Sequence, residues 1–117
     1  LNTAAAVQKG HLSVSHLLLA CLQVAMALAV AEEAVAFEHR DLHWGNIMLS
    51  PATSTHISCR LTNCSIKMRT EGAVVCLIDF TASRLQTPWG DVAYCNLEHE
   101  EGLFDGPKGK CQFETYR

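Results

Sequence analysis

The sequence predicts an α+β fold, one long apolar helix followed by short β-strands. Three observations carry that prediction. Residues 17–31, LLLACLQVAMALAVA, are apolar except for Gln23. Residues 46–79 hold several short β-type runs separated by turn formers. The stretch after Phe80 gathers Pro88, Gly90, Gly102, Gly106, Pro107 and Gly109, which suits loop rather than regular structure. With 117 residues the chain is long enough for one domain with a core.

The helix is expected over about residues 13–37, because Ala and Leu are the strongest helix formers and a helix apolar on nearly every face belongs in an interior. Two other uses of the run are weighed against this. The AVA before Glu32 imitates a signal-peptidase site, but only Lys9 supplies positive charge upstream. As a membrane span the run of 17–31 falls short of the roughly 18 apolar residues needed, so no membrane partner is expected. The pattern changes at Glu38. NIMLS (46–50) is a short strand that Pro51 ends by removing a donor. HISCRL and CSIKM, separated by Thr62 and Asn63, read as a hairpin. After the turn at RTEG, AVVCLID (73–79) is a β-branched run expected as a buried strand. Beyond Phe80 a long functional loop or flexible segment is expected, with CQFETYR as the start of a further helix. The chain opens on leucine, and the expectation is that it is a piece of something longer.

Charge and cysteine content exclude some functions. A net charge of −3 gives no footprint for direct nucleic-acid binding, which needs clustered Lys and Arg, and it favours basic partners over acidic ones. The six cysteines include no C-x-x-C pair, and Cys21 and Cys76 lie in apolar runs, so free, buried or half-buried thiols of a reducing compartment are expected. His56, Cys59 and Cys64 fit no closed four-ligand zinc site.

The chemistry concentrates in FEHRDLHWGNIML, residues 37–49. His39-Arg40-Asp41-Leu42 with Asn46 five places after the Asp matches H-R-D-L-x-x-x-N, the catalytic loop of protein kinases, and IDFT (78–81) at the end of the apolar strand stands in the place of D-F-G. Phosphoryl transfer needs those residue types. Its transition state is loose and anionic, so the protein chiefly positions the hydroxyl and supplies metal-bound positive charge. Asp41 is expected to accept the attacking hydroxyl's proton. Asn46 and Asp79 supply oxygen donors for Mg²⁺ against the phosphates of ATP, as suits a hard cation. Arg40 would anchor the loop or pair with an anion of the later segment. His39 joins this catalytic set as a packing and hydrogen-bonding residue rather than a base. Met48 and Ile78 would floor an adenine pocket. A cation at a helix C-terminus accounts for Arg40 alone, but not for Arg40 together with Asn46 and Asp79.

The wording is narrower than that of protein kinases at large. LAVAEEAVAFEHRDLHWGNIML, then IDFTASRL, then LFDG and QFETYR closely resemble the haspin family of atypical eukaryotic kinases. His43 stands where serine/threonine kinases usually carry Lys, Thr81 replaces the Gly of D-F-G, no A-P-E follows, and residues 51–72 form a long insertion, as in haspins. The resemblance implies a kinase-like C-terminal-lobe portion over residues 1–117, without the N-terminal lobe or the later helices. It implies a nuclear and chromosomal protein, with the cytoplasm as a second location, that phosphorylates a threonine near the start of the histone H-three tail. Glu98, Glu100 and Glu101 lie where the family places acidic substrate contacts, and His43 is grouped with them; steering of a basic tail by acidic groups is the physical warrant. Gly102 stands where the family has another acid and Glu114 where Asp is expected. Alone, the chain is expected to turn over little and to leave apolar surface bare. Two rival functions are a small-molecule phosphotransferase of the aminoglycoside or choline kinase type, which shares the D-L-H-x-G-N phrase, and an inactive binding fragment.

Overall fold

The computed structural model describes residues 13–96. Helix α1 spans Val14–Val35. A short 3-10 turn, Trp44–Asn46, leads into β1 (Ile47–Pro51), followed by β2 (His56–Leu61), β3 (Cys64–Arg69), β4 (Ala73–Leu77), β5 (Arg84–Gln86) and β6 (Val92–Tyr94). The arrangement is mixed α+β: one helix and three antiparallel pairs, β1 with β4, β2 with β3, and β5 with β6.

The helix begins where Ser13, in extended conformation, accepts from the His16 backbone N–H while the His16 side chain accepts from Ser13 N–H. This is a capping box with histidine in the place of the usual Glu or Gln. It ends at Ala36, left-handed at φ 47°, whose N–H bonds to Glu32 O at 2.8 Å while Phe37 N–H reaches Ala31 O. That left-handed cap aims residues 37–46 across the ends of β1 and β4.

α1 is tied to the β1–β4 pair by one polar side chain. Gln23 is buried at mid-helix; its Nε2 donates to Ala73 O (3.1 Å) and its Oε1 accepts from Val75 N–H (2.8 Å). Both β4 groups lie on the strand's outer edge, so the carboxamide replaces a missing neighbouring strand and satisfies groups that burial would otherwise leave unpaired. At the C-terminal end, Glu33 Oε1 accepts from both the backbone N–H and the hydroxyl of Thr62, pinning the β2–β3 turn to the helix.

Five expectations are corrected. α1 is not an interior helix among the described residues: Ala20, Gln23 and Met26 are buried, while Val14, Leu18 and Leu22 are exposed. An all-round apolar helix needs neighbours on every side, and here β2 and β4 cover only one. Nor is it too short to span a bilayer, because its 22 residues are long and apolar enough by length and composition. β4 is half-buried rather than buried, with Cys76 exposed. The described cysteines 21, 59, 64, 76 and 95 are all free, but Cys21, Cys64 and Cys76 are exposed rather than buried. Where a long loop was expected after Phe80, residues 84–94 of the described part form a hairpin; the stretch from residue 97 onward lies outside the described residues. Thr87 N–H bonds to Asp91 O at 2.7 Å and Gly90 takes φ 90°, a conformation open to glycine, to turn the chain between β5 and β6. Glu98, Glu100, Glu101, Gly102, Glu114 and the expected closing helix lie outside the described residues.

Candidate active site

The site forms where the β1–β4 pair ends. Ile47 pairs with Leu77 in antiparallel register, and one step further Ile78 N–H bonds to Asn46 O at 3.0 Å. This last rung brings the His39–Asn46 loop beside Ile78 and Asp79. Because cross-strand partners share a face, Asn46 and Met48 lie on the face of Cys76 and Ile78.

Asn46 is buried and turns its amide nitrogen back onto the loop, donating to Asp41 O (2.9 Å) and lying 3.5 Å from Asp41 Oδ2. Its amide oxygen is the group left for a cation. His43 closes the same loop. Its Nδ1 accepts from Gly45 N–H at 3.0 Å, so in the neutral ring the proton sits on Nε2, which faces Asp41 Oδ2 at 3.9 Å. A Cβ at Gly45 would lie 2.6 Å from the His43 ring, so a larger residue there requires that ring to move.

His39 is buried, and its Nε2 lies 3.1 Å from Ile78 O. A carbonyl only accepts, so Nε2 carries the proton, and Nδ1 is left buried without a partner. The ring packs against Phe80 (5.4 Å) and Phe37 (6.3 Å), and the two phenylalanines meet edge-on at 5.9 Å. His39 therefore bridges the two motifs through its ring and its bond to Ile78 O. Arg40 takes φ 65° and sends Nη1 to Cys95 O at 3.2 Å, anchoring the loop to the segment after β6 through a carbonyl rather than an anion.

Asp79 also takes a left-handed conformation, φ 62°. Non-glycine residues there are uncommon and mark sites where the surroundings dictate the backbone. The Thr81 hydroxyl donates to Asp79 Oδ1 at 2.6 Å. That bond, and next the Thr81 backbone N–H, hold the Asp79 carboxyl below the usual aspartate range; slight desolvation opposes them, and the cationic forms of His39 and His43 lower it further. Asp79 thus lies within electrostatic reach of the same His43 that faces Asp41.

Sequence reasoning missed three supports. Glu38 and Arg84 exchange backbone bonds (2.8 and 2.9 Å) and a side-chain ion pair (3.3 Å), and Ser83 Oγ donates to His39 O at 3.1 Å. The opposed charges of Glu38 and Arg84, flanking the two motifs, were the available signal for the first of these. Among the described residues no group of three or more His, Cys, Asp or Glu side chains could hold a metal ion. A pair of oxygen donors, one neutral and one anionic, suits instead a cation that takes its remaining ligands from phosphate and water.

The family model described as the haspin like kinase domain matches residues 12–117. The chain belongs to the haspin-like kinase family. It is 45% identical over 97 residues to the serine/threonine-protein kinase haspin homolog of Arabidopsis thaliana, 43% over 95 residues to serine/threonine-protein kinase haspin of Mus musculus, and 40% over 96 residues to the haspin homolog of Drosophila melanogaster. These alignments cover 82%, 81% and 81% of this chain but only 16%, 12% and 16% of the relatives, so the chain spans a small part of their length. Within this haspin-like chain, the two motifs and the bonds joining them all fall inside the matched residues.

Proposed function

We propose that the protein to which these residues belong transfers the terminal phosphoryl group of ATP to a serine or threonine of a protein, and within that class to a threonine near the start of the histone H-three tail. We read the described residues as the part of a kinase C-terminal lobe that carries the catalytic loop. The observation that carries the proposal is the single rung Ile78 N–H to Asn46 O, which places the H-R-D-L-x-x-x-N loop and the D-F-T segment side by side.

The residues present fit a magnesium–nucleotide complex. Asn46 has its amide nitrogen committed to Asp41 and its oxygen available, and Thr81 holds the Asp79 carboxyl below the usual aspartate range. These two would hold Mg²⁺, and Met48 and Ile78 on the Asn46 face would line the adenine. Mg²⁺ when bound neutralises charge that develops on the phosphates. Asp41 orients the substrate hydroxyl and takes its proton, while the Nε2–H of His43, in the position other kinases give to lysine, lies beside the Asp41 carboxylate. Glu98, Glu100 and Glu101 would meet the basic tail, and a nuclear, chromosomal location follows from that substrate.

Incubating the complete protein with labelled ATP, Mg²⁺ and either a histone H-three tail peptide or an aminoglycoside tests the reading. Label is expected on a threonine of the peptide, and label only on the small molecule overturns it. Asp41→Ala or Asp79→Ala should nearly abolish transfer; full activity of the Asp79→Ala protein would refute the metal role.

A further inference from the structure

The β2–β3 hairpin, inserted between β1 and β4, has two unlike faces. Ile57, Cys59, Leu61, Ile66 and Met68 are half-buried, while His56, Ser58, Arg60, Ser65, Lys67 and Arg69 are exposed. The register sets Arg60 opposite Ser65, Lys67 opposite Ser58, and Arg69 opposite His56. Three successive rungs of the exposed face therefore carry one permanent cation each, and neither strand contains Asp or Glu. In a chain of net charge −3 this is a local inversion of sign. The other two Lys or Arg among the described residues are committed elsewhere, Arg40 to Cys95 O and Arg84 to Glu38. Arg69 shares an exposed ion pair with Glu71 (3.0 Å), whereas Arg60 and Lys67 have no carboxylate partner among the described residues.

We propose that this face docks an extended acidic segment of a protein partner, with Asp or Glu at every second position. Alternate side chains on one face of a strand recur at about 7 Å, and an extended ligand carries the same repeat, so its carboxylates would meet Arg60, Lys67 and Arg69 in turn. The Ser58 and Ser65 hydroxyls lie between the cations as further donors. Double-stranded nucleic acid fits less well, because proteins that hold a duplex by its phosphates make roughly six to ten such contacts and this face offers three cations. The surface is formed by the insertion and not by the catalytic loop, so it would recruit a partner without entering the transfer site.

Fluorescence anisotropy of the full chain with a labelled peptide alternating Glu and Thr tests this. The alternating peptide should bind more tightly than one of the same composition with its glutamates in a single block, and added salt should weaken it. Arg60→Ser with Lys67→Ser should lower affinity about tenfold, at about threefold per exposed pair, while Arg60→Lys with Lys67→Arg should retain it. Equal binding of the two peptides, binding unchanged in the serine double variant, or a short DNA duplex displacing the peptide more effectively than unlabelled peptide does would each overturn the proposal.

Discussion

Asp41 and Asp79 serve one proposed reaction but are held in opposite ways. Around Asp41 the loop binds itself at several points: Asn46 donates to its carbonyl, His43 faces its carboxylate, Gly45 N–H fixes the His43 ring, and Asn46 is buried. Asp79 is exposed, and the contacts that set its carboxylate are two donors from one residue, Thr81. The first arrangement is pre-organised by several mutually dependent bonds, so damage to one spreads to the others. The second can be tuned at a single side chain. Substitutions that separate the two should therefore change stability in one half and titration in the other.

The largest effect is expected from Asn46→Ala. It removes a buried amide and strips the part-buried Asp41 carbonyl of its 2.9 Å donor, and should cost about 1–3 kcal/mol, read as a lowered denaturation midpoint, with loss of transfer in the complete protein. Gly45→Ala comes next. The added methyl would meet the His43 ring at 2.6 Å, and overpacking of this kind costs typically 1–3 kcal/mol in a rigid core. His43 is half exposed and can swing away, so the lower part of that range is expected, together with loss of the Nδ1 bond, visible in the imidazole nitrogen shifts by NMR. Glu38→Gln should cost less than about 1 kcal/mol, because its ion pair with Arg84 is exposed and the two backbone bonds between these residues persist. A larger loss would show that the ion pair, not the backbone bridge, joins the two motifs.

The same contrast explains what was legible in the sequence. Asp41, Asn46 and Asp79 could be found because phosphoryl transfer demands particular side chains at particular spacings. The β2–β3 hairpin could be found because its alternation is strict over two runs of six residues. By contrast, β5 and β6 are three residues each, too short for a period to show. The exposure of Leu18 and Leu22 was illegible for another reason: an apolar run records what a helix can bury, whereas its actual burial depends on neighbours. The Ser83 bond to His39 O and the Gln23 bonds to β4 join residues more than 40 positions apart, and no local pattern announces them.

Thr81→Val sharpens the comparison most, because it should alter titration with hardly any change in fold. Valine keeps the branched shape and the backbone N–H but removes the hydroxyl that donates to Asp79 Oδ1. The Asp79 pKa, now held down chiefly by that bond, should rise toward the usual aspartate value without quite reaching it, since the backbone donor remains. The sign of the linkage follows. A carboxyl whose folded value is depressed favours the folded state above the ordinary carboxylate range and loses that contribution as pH falls through the lowered value. In Thr81→Val that contribution should be smaller and its loss complete at a higher pH, and in the complete protein the acid limb of magnesium-dependent activity should move to higher pH, because a protonated Asp79 no longer presents an anionic ligand. Carboxyl carbon shifts followed by NMR across the acidic range measure this directly. An Asp79 titration identical in the variant would mean that the hydroxyl is a bystander and that the backbone N–H alone holds the charge.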